Sequence, residues 1–289
     1  MKIVNIDEFN ELNLLGRGEF GTVYKVVNKL DGEVKAIKIV HLQAISDEHR
    51  HQVLKEIKSL AKVRSRYVVQ YHNSWLDTNR LYIQMEYCPQ SLRLVLADKA
   101  LAFGRQSAEP MNPLEYYKSC EIFKELLESV QYLHERRPPI IHRNLKPENV
   151  LTVNGLDGDH RSRRFIKLGD FGLANVYLRA NHVNNDSLRY RAPELMTGAL
   201  WYVAPEVFSG YNDSHKLDMW SLARIGTELF DVDPCEMTVD TYPDDHVLNG
   251  PVVRLHRMLQ LMMNWPVFDD RPECRQVLAK RNEWSIDKP

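Results

Sequence analysis

One lysine near the N-terminus limits the folds open to this chain more than any other residue. Lys38 follows Ala36 and Ile37 inside a run of apolar and β-branched residues, where an unpaired ammonium would be costly to bury. Glu56 lies in a segment whose apolar residues recur at helical spacing. Since each charge supplies the partner that the other lacks, the sequence predicts an ion pair between a strand and a helix.

A glycine-rich segment precedes the lysine. Residues 16–23 read GRGEFGTV and have strand patterns on both sides. Residues without side chains let backbone N–H groups approach phosphates closely. The flanking strands distinguish this segment from a dinucleotide-binding motif, which runs from a strand into a helix. By itself the segment is also consistent with a plain hairpin that contains glycine.

The hydrophobic pattern changes character at about Pro89. Before it, residues 12–15, 22–27, 34–40 and 81–85 have strand character, and one helix capped by Ser46 and Asp47 interrupts them. After it, longer helices are predicted over 116–135 and 215–230, with short strands at 150–153 and 165–168. The pattern predicts one α+β domain over residues 1–289, with a small β-rich lobe at about 9–88 and a larger, mainly helical lobe at about 89–283.

Two stretches, 102–113 and 153–164, have the composition of surface loops. The second contains Arg161, Arg163 and Arg164, which we interpret as a solvated hairpin tip rather than a phosphate site. A short repeat also stands out, because YRAPEL at 190–195 is echoed by YVAPEV at 202–207.

Charge and cysteine content narrow the functional classes. Lys and Arg total 38 against 39 Asp and Glu, for a formal net charge of -1, so no global field favours nucleic acid or anionic lipid. The four cysteines are far apart and predict reduced, buried thiols. No stretch predicts a signal peptide or a membrane span. We therefore expect a cytoplasmic protein with neither nucleic-acid nor membrane partners.

Two motifs in the second half of the chain add to the glycine-rich segment and the predicted Lys38–Glu56 pair. Residues 142–149 read HRNLKPEN before a predicted strand, and residues 170–172 read DFG after another. With the glycine segment, Lys38 and Glu56, these motifs resemble the protein kinase superfamily in order and spacing, from residue 14 to about residue 278. The resemblance implies the two-lobed protein-kinase fold, ATP and Mg²⁺ as cofactors, and a protein substrate.

The resemblance also assigns roles to individual residues. It implies that Lys38 holds the α and β phosphates and that Glu56 orients it, while Asn149 and Asp170 supply oxygen ligands to the metal. Three positions have structural roles in the family: Glu206 and Arg271 are expected to form a buried ion pair, and Asp218 to anchor the catalytic loop. The remaining residues expected around the nucleotide are Gly16, Gly18, Gly21, Val23, Ala36, Met85, Glu86 and Cys88.

Within the superfamily, LYIQMEYC at 81–88 and IKLGDFGL at 166–173 look most like the Ser/Thr kinases of the alpha subunit of translation initiation factor 2. This likeness implies that subunit as a substrate, a role in translation regulation, and homo- or heterodimers with another kinase. Those kinases usually carry sensor domains outside the catalytic unit.

The pattern breaks in the catalytic loop, where the family expects aspartate at the position of Asn144. An amide can accept a hydrogen bond from a substrate hydroxyl, but it has no carboxylate to take the proton. Lys146 is retained. Glu206 lies twelve residues before Asp218, the family's usual spacing, so we place the end of the activation segment there. Ala199 then stands where Ser/Thr kinases carry a bridging threonine.

Three functions stay open at this stage. The chain is a nucleotide-binding pseudokinase that regulates or dimerises with an active relative, a slow Ser/Thr kinase, or a scaffold that binds no nucleotide. The first is favoured because the ATP-site residues are intact beside Asn144 and Ala199. Ser187 and Thr197 are candidate phosphorylation sites, although an unmodified hydroxyl is the simpler interpretation of each.

Overall fold

The structure is a computed structural model that describes residues 8–18, 21–42, 57, 63–77, 79–106, 109–153, 164–170, 198–211, 213–233 and 242–289. These residues form two compact units. The first comprises the described residues up to Pro89 together with Gly169 and Asp170, and the second comprises the rest. The predicted helix around Glu56 lies outside the described residues except for Ile57, which is helical and 1% exposed.

The first unit is built on a five-stranded antiparallel sheet with strand order β1-β2-β3-β5-β4. Four of its strands contain the predicted segments, and β4 was not predicted because polar residues break its alternation. The strands are β1 Phe9–Gly18, β2 Gly21–Asn28, β3 Val34–His41, β4 Tyr71–Asp77 and β5 Arg80–Glu86.

One face of this sheet carries its own apolar cluster. Phe9, Val26, Ile37 and Tyr82 are buried together, and the Trp75 ring stacks on Tyr82 with 5.1 Å between ring centroids. This packing joins all five strands, β1 to β5, on one face of the sheet. The residues of the opposite face do not take part in this cluster.

The second unit is mainly helical. Its helices are α1 Leu92–Ala102, α2 Pro113–His134, α3 Lys216–Phe230, α4 Asn249–Met262, α5 Cys274–Ala279 and α6 Arg281–Trp284. A small antiparallel sheet, in the order β6-β7-β8, joins β6 Gln90–Ser91, β7 Val150–Thr152 and β8 Ile166–Leu168. The β-rich part and the mainly helical part of the predicted α+β domain are thus both present.

Local sequence explains the placement of α2. The Asn112 side chain accepts a hydrogen bond from the Glu115 N–H at 2.9 Å, and Pro113 occupies the first helical position, a favoured combination for a helix start. The buried side of α2 carries Phe123, which meets Trp284 of α6 edge to face. Trp284 is completely buried, so the last helix belongs to the core of this unit.

The interpretation of Arg164 as a solvated residue is wrong. Its side chain is 9% exposed and contacts Glu128 at 2.7 Å, and it also donates to the Glu125 carbonyl and to the Ser129 hydroxyl. Flanking glycines and charges suggested a loop tip, but the carboxylate and carbonyl partners lie on α2, far away in sequence. Arg161 and Arg163 lie outside the described residues.

The described cysteines agree with the prediction of idle thiols. Cys88, Cys120 and Cys274 are free and buried, and burial raises the pKa of the Cys120 thiol to about 12. None of the helices in the described part of the chain is both long enough and apolar enough to cross a membrane.

Candidate active site

Strand register gathers several predicted nucleotide residues on one sheet face. Val23 pairs with Lys38, and Ala36 pairs with Met85. Paired residues of antiparallel strands share a face, as do residues two apart in one strand. All four side chains therefore lie on the face opposite the Phe9 cluster. The sequence predicted these residues separately, and the sheet brings them together.

Lys38 is paired with the carboxylate of Asp170. Its Nζ lies 2.6 Å from Oδ2 of Asp170, and Lys38 is only 3% exposed. Asp170 has a positive φ of 55°, an uncommon backbone conformation for a non-glycine residue. Glu56, the partner expected from sequence, lies outside the described residues, as does the rest of the DFG motif.

The glycine-rich segment forms the end of the β1-β2 hairpin, where Gly18 pairs with Gly21. Gly21 has φ +133°, and a Cβ there would lie 2.2 Å from the Ile39 carbonyl oxygen. Gly21 is thus required by the close approach of β3. At Gly16 an added Cβ would meet no atom within 4 Å, so packing does not explain that glycine.

The segment after Met85 is held by two hydrogen bonds between Glu86 and Gln70. The Glu86 N–H donates to the Gln70 carbonyl at 2.9 Å, and the Gln70 N–H donates to the Glu86 carboxylate at 3.1 Å. Cys88 is buried, with 8% exposure. These two bonds fix the strand end at which the family resemblance places adenine.

In the second unit Asp218 anchors the loop at 142–149, as predicted. Its carboxylate accepts hydrogen bonds from the backbone N–H groups of His142 and Arg143 at 2.8 and 2.9 Å, and it contacts Nε2 of His134 at 2.8 Å. Burial would raise the pKa of Asp218, but the hydrogen bonds and charges of His134 and His142 prevail and lower it. Asp218 therefore stays ionised, and the loop is tied to α3.

Asn144 contributes main-chain atoms to the same loop. Its N–H donates to Nδ1 of His142 at 3.3 Å, and its carbonyl accepts from the Asn149 side-chain amide at 2.7 Å. The Asn149 nitrogen is thereby engaged, which leaves its Oδ1 as the atom suited to a hard cation. Lys146 precedes the 3₁₀ turn Pro147–Asn149 and is partly exposed.

Glu206 and Arg271 form the predicted ion pair. Both side chains are fully buried, with bidentate contacts of 2.5 and 2.8 Å. Arg271 also donates to the Asn264 and Lys216 carbonyls. Of the two copies of the repeated string, the one that contains Glu206 therefore forms the expected structural contact. Glu194, in the other copy, lies outside the described residues.

A charged network escaped the sequence analysis. Arg93 of α1 donates to Glu228 at 2.6 Å and to Glu148 at 2.9 Å, and both Arg93 and Glu228 hydrogen-bond the Tyr202 hydroxyl. The network links the 142–149 loop to the 3₁₀ turn Gly198–Tyr202. Its members are up to 135 positions apart, and local patterns give no signal for such a pairing.

The protein kinase domain family matches residues 9–280 of this chain. The chain belongs to the protein kinase family. A Wee1-like protein kinase of Oryza sativa subsp. japonica is 28% identical to this kinase domain over 278 residues, which are 94% of this chain and 46% of the relative. Aurora kinase B of Danio rerio is 28% identical over 222 residues, or 76% and 59% of the two chains.

A third relative is the serine/threonine-protein kinase ppk11 of Schizosaccharomyces pombe, 29% identical over 229 residues, or 78% of this chain and 63% of the relative. Serine/threonine kinases are therefore among the relatives of this kinase domain. The chain spans about half the length of the first two relatives.

Proposed function

We propose that this kinase domain binds ATP and Mg²⁺ but transfers phosphate poorly, so that it acts as a pseudokinase-like regulator or dimerisation partner of an active relative. One combination of observations supports the proposal: the Lys38–Asp170 pair is intact at 2.6 Å, whereas Asn144 stands where the family has its catalytic aspartate.

The residues of the first unit fit a nucleotide. Val23, Ala36 and Met85 give an apolar face for a purine, and Lys38 on the same face supplies a cation for phosphates. Gly16 and Gly18 let backbone N–H groups approach an anion. Asp170, and Asn149 in the second unit, offer the oxygen donors that Mg²⁺ prefers. A bound Mg²⁺ supplies positive charge that offsets the charge of the phosphates.

Asn144 affects phosphoryl transfer rather than nucleotide binding. An amide can position a substrate hydroxyl but cannot accept its proton, and general-base catalysis contributes about 10²- to 10⁴-fold. With typical kinase turnover of about 1 to 100 per second, residual turnover would fall between about 10⁻⁴ and 1 per second. The threonine hydroxyl that is missing at Ala199 lowers the expected turnover further.

A second candidate is a slow Ser/Thr kinase of the alpha subunit of translation initiation factor 2. The anchored loop favours it, because Asp218 holds the loop backbone and Lys146 and Asn149 are retained. Phosphoryl transfer depends mainly on positioning and electrostatics, so some rate can survive without a base. The substrate is proposed only from the strings at 81–88 and 166–173.

Dimerisation, a role in translation and a cytoplasmic location stay predictions. A kinase partner fits the pseudokinase proposal, since a domain that binds nucleotide without turnover can still favour one conformation of a bound partner.

The test pairs two measurements on the same protein. Mg²⁺-dependent ATP affinity is measured by calorimetry, and transfer of radiolabelled phosphate is compared between the wild type and Lys38→Met. Tight ATP binding with no transfer above Lys38→Met supports the proposal. Transfer that Lys38→Met abolishes supports the slow kinase, and a wild type that binds no ATP contradicts both and leaves the scaffold.

A further inference from the structure

A cavity of about 200 Å³ lies between α1 and α2 in the second unit, and none of its lining residues has a role in the proposed function. Six of the side chains that line this α1–α2 cavity are apolar: Leu94, Val95, Ala102, Phe103, Ile122 and Leu229. An engineered cavity of about 150 Å³ with walls of this kind binds benzene. The α1–α2 cavity therefore has room for one aromatic ring with a small substituent.

One buried hydroxyl lines the same cavity. Ser119 of α2 is 2% exposed, and its hydroxyl makes no hydrogen bond with any residue that the structure describes. Ser129 of the same helix is also buried, but its hydroxyl donates to the Glu125 carbonyl at 2.7 Å. A buried hydroxyl without a partner is costly. Ser119 is therefore the group in this cavity that is suited to bind an oxygen atom of a ligand.

The charges around the α1–α2 cavity favour a neutral ligand. Lys99 is the buried cation of its lining, and its ammonium group already donates to the Leu229 carbonyl at 2.8 Å and to the Asp231 carboxylate at 3.1 Å. The other two charged residues of the lining, Asp98 and Lys118, have opposite signs and are exposed to solvent. An ionised ligand would therefore lose its hydration without gaining an unpaired buried charge as its partner.

We propose that the α1–α2 cavity is a binding site for a small neutral phenol, whose ring packs against the apolar walls and whose hydroxyl group hydrogen-bonds to Ser119. The inference is independent of ATP binding, because no lining residue belongs to the nucleotide site. α1 also carries Arg93, which donates to Glu148 of the 142–149 loop at 2.9 Å. A ligand in this cavity thus contacts a helix that is hydrogen-bonded to the catalytic loop.

The experiment titrates the whole chain, with NMR-visible methyl groups, with phenol and with toluene, which has nearly the same size but no hydroxyl. For phenol we expect saturable binding in the millimolar range, with shifts at the methyl groups of Leu94, Val95 and Ile122. Ser119→Ala should weaken phenol binding by about 2- to 10-fold, the effect of one neutral hydrogen bond, and leave toluene binding unchanged.

Two further variants serve as controls. Ser129→Ala removes a buried hydroxyl from the same helix but not from the cavity, and it should leave the affinity for phenol unchanged. Ala102→Phe adds a ring at an exposed residue of the lining, and it should abolish the binding of both probes. N-acetyltyrosinamide, which carries the phenol ring on a peptide backbone, should bind no more tightly than phenol, because the cavity has no room for its amide groups.

Several results would overturn the inference. One is the absence of saturable phenol binding, and another is phenol binding that Ala102→Phe leaves intact. Equal losses of phenol affinity in Ser119→Ala and Ser129→Ala, or no loss in Ser119→Ala, would remove the serine from the site. Tighter binding of N-acetyltyrosinamide than of phenol would mean that the cavity receives a tyrosine side chain of a partner protein and not a small ligand.

Discussion

The two units retain different features of a kinase site. The first keeps a charge pair, since Lys38 and Asp170 are in contact at 2.6 Å. The second keeps a loop shape, which Asp218 holds through backbone N–H groups. Both described hydrogen bonds of Asn144 use its main-chain atoms. The loop conformation therefore does not depend on the side chain at 144, and a carboxylate can be absent there while the scaffold persists.

The largest expected effect is on the second unit. Arg271→Met leaves Glu206 buried without its partner, and breaking such a pair typically costs about 3 to 5 kcal/mol. Urea denaturation should show this loss in the free energy of unfolding. Arg275→Met, at an exposed position of α5, is the control and should change little. An unfolding free energy for Arg271→Met close to the wild type would mean that this unit does not depend on its buried charges.

Asp218→Asn tests the loop anchor. One amide nitrogen would replace a carboxylate oxygen that accepts hydrogen bonds, and we expect a loss of about 1.5 to 3 kcal/mol at neutral pH. Because the folded-state pKa of Asp218 is lowered, its contribution to stability is present above the unfolded pKa of about 4 and is lost as pH falls through the folded value.

The difference in unfolding free energy between wild type and Asp218→Asn should accordingly shrink as the pH falls below about 4. Asp213→Asn, at an exposed residue that pairs with Arg143, is the control. A difference that grows in acid would contradict the assignment of Asp218 as an ionised anchor.

Lys38→Met tests the charge pair of the first unit. Loss of hydrogen bonds from a charged group to ATP should weaken binding by about 1.5 to 3 kcal/mol, or roughly 10- to 150-fold. Lys35→Met is matched to it, since Lys35 lies on the same strand but on the opposite face, where it pairs with Glu86 in the register. Equal ATP affinities for the two variants would remove Lys38 from the nucleotide site.

The smallest expected effect is that of Asn144→Asp. The new carboxylate can accept a proton, but Ala199 still lacks the bridging hydroxyl, so we expect phosphate transfer to rise less than about tenfold and ATP affinity to be unchanged. Radiolabelled transfer at saturating Mg²⁺ and ATP measures it. A rise to ordinary kinase turnover of about 1 to 100 per second would show that position 144 alone limits the reaction.

Sequence patterns identified elements with strong periodicity and contacts that follow a family motif. The strands around Lys38, the helix α3, the Glu206–Arg271 pair and the Asp218 anchor were all predicted. The short motifs sufficed because each role is tied to one residue type at one spacing.

Other features depended on contacts that no local pattern contains. β4 was missed because polar residues occupy its alternate positions, and α1 because it is apolar on most sides without a clear period. Arg164 was misjudged because its partners lie on α2, 35 to 39 positions earlier. The Arg93 network required the packing of helices distant in sequence.

The most direct test of the central claim is single-turnover phosphate transfer by the wild type and by the double variant Asn144→Asp, Ala199→Thr, both saturated with Mg²⁺ and ATP. The account predicts transfer at the Lys38→Met background in the wild type and a rise of at least about 100-fold in the double variant. Transfer by the wild type above the Lys38→Met background would contradict it.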